Sequence, residues 1–268
     1  MENPIGLQNL GVTCWFNSFI QGLLTLPIVV AEIRSIKNKT GNSLAAEFID
    51  LSESGGQVTN PSRLLHKFRT LLNRPNEHVN RILFGNRQED AQEGMILFLE
   101  LFKSSDLDKL LNHRYNIIIR CSCGYEIKSI DRNCFIMYPP QTGNTDLRSH
   151  ILSSSEMLKD YRCDRCATRG SVARFQTLGY SPPVLMIILN KYRSKSLIDL
   201  PKSFDIPGPG TYRLVGCIEH SGGMSGGHYW YIGRRGSSHF MLNDTSVTPI
   251  SSLQPTQNTY IAIYENKK

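Results

Sequence analysis

The chemistry available to this sequence begins with one cysteine, Cys14, in the stretch "NLGVTCWFNSFIQGLLTLP". Phe16, Phe19, Ile20, Leu23 and Leu24 recur at helical spacing, Asn17, Ser18 and Gln21 interrupt them, and Pro27 closes the run, which predicts a helix with Cys14 in its first turn. The unpaired N–H groups and the positive dipole end there favour a thiolate, so the expectation is a lowered pKa and a nucleophile near neutral pH. A buried thiol that merely packs as a small hydrophobe is the alternative. A nucleophile needs a base, and the base needs an orienting partner. His228 opens the strand-like run "HYWYIG" directly after the glycine-rich "SGGMSGG", and Asn243 and Asp244 end the next run, "HFMLNDTSV". A hairpin returns that pair to His228, although a turn histidine and a plain Asn-Asp turn satisfy the same spacing.

A second chemistry lies in paired cysteines. Cys163 and Cys166 in "CDRC" are separated by two residues, which lets both thiolates reach one tetrahedral ion, while Cys121 and Cys123 in "CSCG" have one residue between them and Gly124 to relieve the turn. Structural zinc held by Cys121, Cys123, Cys163 and Cys166 is expected, pinning β-ribbons with little core of their own. Four reduced structural cysteines are the other reading. Cys134 is a spare candidate ligand, and Cys217 inside "LVGCIE" reads as packing.

These residues need elements to position them. From residue 1 to about 112 the pattern is helical: "NPSRLLHKFRTLLN" offers Asn60 as N-cap and Pro61 at the first helical position, and "EDAQEGMILFLELF" is a further helix with Gly94 inside it. Asp90 and Glu93, three apart in that helix, can present both carboxylates on one face. After Asn112 the texture changes to short β-type runs, among them "YNIIIR", "VLMIILN", "YRLVGCIE" and "TYIAIY". A helical front and a strand-rich back predict an α+β fold.

Length and composition narrow the class. The chain has 268 residues with 40% hydrophobic content, enough to bury a sizeable core. Its apolar stretches are too short to cross a bilayer, and the N-terminus lacks a secretion-signal layout, so no membrane partner is expected. Seven dispersed cysteines point to a reduced compartment, hence an intracellular location, cytoplasmic or nuclear. The net charge of +7 is scattered without dense basic runs, which argues against nucleic acid.

The sequence also resembles a known family. "GLQNLGVTCWFNSFIQGL" is similar to the cysteine box of the ubiquitin-specific proteases, "RQEDAQEG" to their Gln-Asp-Ala-x-Glu box, and "SGGHYWYIG" followed by "MLNDTSVTPI" to their histidine box, in the same order; the histidine-box glycine pair is Gly226 and Gly227. "YRCDRC" with "YSPPVLMIILNKY" looks like the passage from fingers to palm, and "TYIAIYE" like the closing strand, so the likeness runs from Gly6 to about Glu265. It implies a papain-like α+β fold in one catalytic domain, with a helical thumb to about residue 112, mainly fingers over 113–183 and mainly palm over 184–268. It implies a thiol protease cleaving after ubiquitin's C-terminal Gly-Gly, with Cys14 as nucleophile, His228 as base, Asn243 orienting it, Asn9 as oxyanion donor and Asp244 beside them. Asp90 and Glu93 would meet the arginine-containing tail, Tyr229 would cover the Gly-Gly channel, and Gly227 would permit close approach. The partner is ubiquitin, ubiquitinated proteins or a ubiquitin-like modifier; no catalytic cofactor is implied. Two departures from the family stand out besides the CxC: Trp15 replaces a common tyrosine and Gly94 a common phenylalanine, which predicts a loosened helix. A ubiquitin-binding scaffold with weak turnover and a zinc-ribbon nucleic-acid binder are the competing classes.

Overall fold

The computed structural model describes residues 4–55, 58–72, 88–139, 146–189, 200–223 and 226–266. Helix α1 (Cys14–Leu24) is its axis, with all eleven residues buried. Its apolar residues account for most of this, and the polar Asn17, Ser18 and Gln21 are buried because each finds a partner, in the Asp244 carboxylate, the Trp15 carbonyl and the Ile5 carbonyl respectively. Around it pack α2 (Pro27–Thr40), α3 (Ser43–Ser52), α4 (Ser62–Leu71), α5 (Ala91–Glu100) and α6 (Ser105–Leu111). Phe16, Phe19, Phe68 and Phe98 interlock at centroid distances of 5.1–6.5 Å, largely edge-on, the geometry ring quadrupoles favour. Local signals fix the ends: Pro27 opens α2, Gly41 at φ 65° closes it, and Asn42 caps α3 by accepting from the Ala45 N–H at 2.9 Å. Helix α4 begins at Ser62 with Pro61 at the cap, one residue later than expected, because Asn60 folds its side chain onto the Ser62 N–H at 2.8 Å.

Among the described residues, twelve strands form two sheets. The fingers are a four-stranded sheet, in order β2 (Glu126–Asn133), β1 (His113–Cys121), β5 (Val172–Tyr180) and β4 (Ser153–Met157). The palm runs β11 (Ser246–Ile250), β10 (Ser238–Asn243), β9 (Gly226–Arg235), β8 (Gly210–Gly223), β12 (Thr259–Asn266), β6 (Val184–Leu189) and β3 (Phe135–Tyr138), with β7 (Ser203–Ile206) pairing to β8. Strand β3 lies within the stretch expected to be fingers, yet it joins the palm edge parallel to β6. Short helix α7 (Leu147–Leu152) ties the two sheets together, its Ile151 carbonyl accepting from the Tyr115 hydroxyl at 2.8 Å. One palm face packs on the helices and the other on α7 and the finger base.

Helix α1 and strand β9 carry the two ends of the expected chemistry, and a polar weld aligns them. The Tyr231 hydroxyl donates to Thr25 Oγ1 at 2.6 Å, and Arg235, itself buried, donates to the Gln21 carbonyl at 2.8 Å and to Gln21 Oε1 at 2.6 Å. Gly216 and Gly233 make room for that tyrosine, since a Cβ on either would fall about 2 Å from its hydroxyl. The weld sits at the far end of both elements from Cys14 and His228, so it sets their register without occupying their cleft.

Candidate active site

Cys14 is the first residue of α1 and is 4% exposed. Its predecessor Thr13 is an N-cap that does not cap: the Thr13 hydroxyl accepts from the Leu10 N–H at 2.9 Å and donates to Asn9 Oδ1. The first N–H groups of the helix are thereby left for the sulfur. The thiol pKa nevertheless lies above its ordinary value. Burial is the main cause; the Tyr229 backbone N–H works against it, the Asp244 charge adds to it, and the N–H groups of Trp15 and Cys14 lower it slightly. The expected resting thiolate is thus corrected: the helix end is present, but desolvation outweighs it. Gln88 also reaches this thiol, its Nε2 donating to Cys14 Sγ at 3.5 Å.

His228 lies on β9 and Asn243 ends β10, and the antiparallel register of these strands brings the pair to one face. His228 Nε2 is 2.6 Å from Asn243 Oδ1. An amide oxygen only accepts, so the proton sits on Nε2 and Nδ1 is left as the basic nitrogen. Trp230 stacks beside the imidazole at 6.1 Å and 21°, restraining its rotation. The residue after His228 touches the Cys14 thiol through its backbone N–H, which places Cys14, His228 and Asn243 at one end of the α1–β9 contact.

Asp244 has a left-handed backbone, φ 50°, and a carboxylate divided between two amides: Asn9 Nδ2 donates to Oδ2 at 2.9 Å and Asn17 Nδ2 to Oδ1 at 2.8 Å. Its carbonyl accepts from the Leu7 N–H at 2.8 Å. Asn9 completes its bonds by accepting from the Thr13 N–H at 3.1 Å. Asp244 therefore buckles the N-terminal segment, α1 and β10 together around Cys14.

The two carboxylates expected on one helical face have different places. Asp90 stands outside α5 as its N-cap, Oδ1 accepting from the Gln92 N–H at 2.7 Å, while Glu93 is in the first turn. A three-residue spacing of Asp and Glu is equally that of a cap and its box partner, so the helical reading of Asp90 is corrected. Tyr260 fixes the same carboxylate, its hydroxyl donating to Oδ2 at 2.8 Å. The Tyr229 ring is 3% exposed, stacked on His220 at 4.3 Å. Gly227 lies where the β8–β9 hairpin closes tightest: a Cβ there would fall 2.4 Å from the Ser221 carbonyl oxygen, and opposite it Gly222 has φ 137°.

Cys121, Cys123, Cys163 and Cys166 converge at the fingertip, with all four Sγ atoms within 4.8 Å of one another. Cys121 to Cys166 is 3.6 Å and Cys123 to Cys163 is 3.8 Å. Sulfurs at the corners of a tetrahedron with metal–sulfur bonds of about 2.3 Å lie about 3.8 Å apart, so the donor set fits a single ion. Two left-handed residues make the knuckles, Gly124 at φ 84° and Ala167 at φ 59°. The single-residue spacing of "CSCG" is absorbed there, because Gly124 turns the chain back to let its N–H reach the Cys121 carbonyl at 2.9 Å. Cys134 lies elsewhere, packed against the helical core with its pKa pushed up to about 12 by burial, and Cys217 is buried in β8.

Gln88, Asn17, Thr13 and Tyr260 were not singled out by sequence. All four lie in stretches that resemble the family, Thr13 and Asn17 in the cysteine box, Gln88 in the Gln-Asp-Ala-x-Glu box and Tyr260 in the closing strand, but residue type alone named no partner for them.

The Ubiquitin carboxyl-terminal hydrolase family model matches residues 5–264. Among curated proteins, the chain is 23% identical to a probable ubiquitin carboxyl-terminal hydrolase 16 of Schizosaccharomyces pombe, over 100% of this chain and 68% of that protein. It is 22% identical to ubiquitin carboxyl-terminal hydrolase 17-like protein C of Mus musculus, over 97% and 54%. It is 25% identical to ubiquitin carboxyl-terminal hydrolase 23 of Arabidopsis thaliana, over 97% and 35%. The chain thus spans between about a third and two thirds of these relatives' lengths. Its fold matches a chain of the SAGA DUB module Ubp8/Sgf11/Sus1/Sgf73 bound to monoubiquitin, with TM-score 0.79 and 19% identity over 100% of this chain and 70% of that one. The same module bound to ubiquitin aldehyde matches with TM-score 0.76. With the family model covering nearly its whole length on a papain-like α+β fold, the chain belongs to the ubiquitin carboxyl-terminal hydrolases, the cysteine-type deubiquitinating enzymes.

Proposed function

We propose that this chain hydrolyses the isopeptide or peptide bond after ubiquitin's C-terminal Gly-Gly, with Cys14 as nucleophile. The observation that carries the reading is the His228–Asn243 bond of 2.6 Å, which leaves Nδ1 free to act as base for a cysteine at the first position of α1. His228 Nδ1 takes the Cys14 proton as Sγ attacks the carbonyl carbon, and Asn243 holds the ring through the change of charge. The Cys14 N–H and the second N–H of Asn9 Nδ2 stabilise the oxygen as it gains charge. Collapse expels the lysine or α-amine, which receives the proton from His228, and water then releases the thioester by the same base. Asp90 and Glu93 offer carboxylates to tail arginines, whose paired N–H groups suit them. Gly227 keeps the channel wall free of side chains, and the Tyr229 ring supports that wall from the core, its backbone facing the nucleophile.

At the fingertip Cys121, Cys123, Cys163 and Cys166 are proposed to hold structural zinc, which would clamp the β1–β2 turn to the 163–166 knuckle. Seven free thiols support an intracellular setting, cytoplasmic or nuclear. Ubiquitin carrying a thiol-reactive C-terminal electrophile tests the reading: a covalent adduct is expected with the parent and not with Cys14→Ala. Absence of an adduct in folded parent protein would remove the enzyme reading, and a parallel reagent built on a ubiquitin-like modifier decides which body is preferred.

A further inference from the structure

We propose that Gln88 is a catalytic residue, its side-chain amide passing from the nucleophile sulfur in the resting site to the oxyanion in the transition state. The inference rests on the deubiquitinase reading above and adds a residue to it.

The starting observation is the Gln88 Nε2 to Cys14 Sγ contact of 3.5 Å, a normal length for an N–H donor to sulfur. When Sγ attacks, the carbon–sulfur bond forms and the carbonyl π pair moves to oxygen. That oxygen lies one bond beyond the attacked carbon, within the shell that an amide touching Sγ already occupies, and donors act there at about 2.7–3.1 Å. The thiol proton goes to His228 and then to the leaving amine, so Gln88 gains and loses no proton. An uncharged amide suits this role, because it stabilises negative charge without itself titrating.

Beside the Cys14 N–H, Asn9 brings the oxyanion only one further donor. Its Oδ1 accepts from Thr13 and one N–H is committed to Asp244, which leaves a single N–H on an exposed side chain. Gln88 is the more enclosed of the two, and its backbone is held in advance. Glu89 next to it is 6% exposed, and Asp90 is fixed both as the cap of α5 and by the Tyr260 hydroxyl. Donors held in place before charge develops need no reorganisation when it does, which is where their catalytic value lies.

The test compares the parent with Gln88→Met, which keeps length and removes the donor, and Gln88→Ala. Three quantities are read: hydrolysis of a ubiquitin C-terminal fluorogenic amide, inhibition by ubiquitin aldehyde, and alkylation of Cys14 by iodoacetamide from pH 6 to 10. Aldehyde capture creates a tetrahedral oxygen, whereas alkylation displaces iodide and creates none. The expected result is a loss of about 100-fold in kcat with KM within about threefold, aldehyde binding weakened by about the same factor as kcat, and alkylation within about threefold at every pH. Unchanged kcat in both variants overturns the inference. So does alkylation that falls in step with hydrolysis, which would make Gln88 a group that only positions the thiol. A parent that fails to hydrolyse the amide while alkylating normally overturns the deubiquitinase reading itself, and the two failures are thereby told apart.

Discussion

Trp15 and Gly94 share one volume: a Cβ on Gly94 would fall 2.4 Å from Cζ3 of the Trp15 indole. The two departures from the family are therefore one coupled exchange, a larger ring on α1 seated over a helix with its side chain removed. The expectation of a loosened α5 is corrected, since Gly94 is buried under the ring and α5 runs unbroken across it.

Replacing Gly94 by alanine gains about 1 kcal/mol of helix propensity and loses about 1–3 kcal/mol to overlap with a ring that is 1% exposed. Net destabilisation is expected in the parent, and relief of it in the Trp15→Tyr background. Chemical denaturation of the four proteins of this cycle measures the coupling; an equal cost of Gly94→Ala in both backgrounds would refute the shared volume.

Burial and the Asp244 charge hold the Cys14 thiol above its ordinary range, so at neutral pH the resting protein contains less thiolate than a free cysteine would. Alkylation of Cys14 should keep rising with pH beyond 9. Asp244→Asn removes the charge and keeps an acceptor, in a residue type that tolerates φ 50°; its profile should move to lower pH. Turnover should still fall, because one amide oxygen then serves both Asn9 and Asn17. A profile unmoved by Asp244→Asn would exclude the electrostatic contribution.

Metal analysis of protein purified without chelator should find about one zinc per chain. Its removal, or Cys163→Ser, should lower the unfolding temperature while Cys14 alkylation at 20 °C changes little, because the cysteine cluster sits at the end of the four-stranded sheet and Cys14 lies on α1 in the helical core. A metal-free preparation with unaltered stability would eliminate the zinc assignment.

His113 is 3% exposed, its Nδ1 has no hydrogen-bond partner among the described residues, and burial lowers its pKa to about 4. The folded protein therefore binds this proton less readily than the unfolded chain, whose histidine titrates near 6.5. Stability from this group is complete above about pH 6.5 and is lost as pH falls toward 4, by roughly 3 kcal/mol in all. His113→Phe, which keeps the edge-on contact with Tyr115 at 4.9 Å, should flatten that part of the stability–pH curve. An equally steep loss in the variant would place the acid sensitivity elsewhere.

The sequence made visible what depends on residue type and short spacing. A cysteine at a helix start, a histidine at a strand start and an asparagine one hairpin later are local signals, and the β-branched runs mark most of the strands. Strands β4, β7 and β11 were not foreseen: "SSSEM" has no apolar alternation, "SFDI" is four residues long, and "SVTPI" contains a proline that only an edge strand tolerates. The rest of the site lives in contacts between distant residues. Asn17 meets Asp244 across 227 positions and Tyr260 meets Asp90 across 170, and no periodicity reports such pairs. Desolvation of Cys14 was hidden for the same reason, since the helix end is written locally and the burial around it is not.

The buckle at Asp244 has a consequence for synthesis. Asn9 and Asp244 are 235 residues apart, and the strand bearing His228 follows α1 by about two hundred residues. During translation the helical part emerges first, but Cys14 meets His228, Asn243 and Asp244 only after the β9–β10 hairpin has left the ribosome. A chain that stops short of Asp244 thus lacks the clasp that joins the N-terminal segment, α1 and β10, so the site is a product of late synthesis and not of the helical part alone.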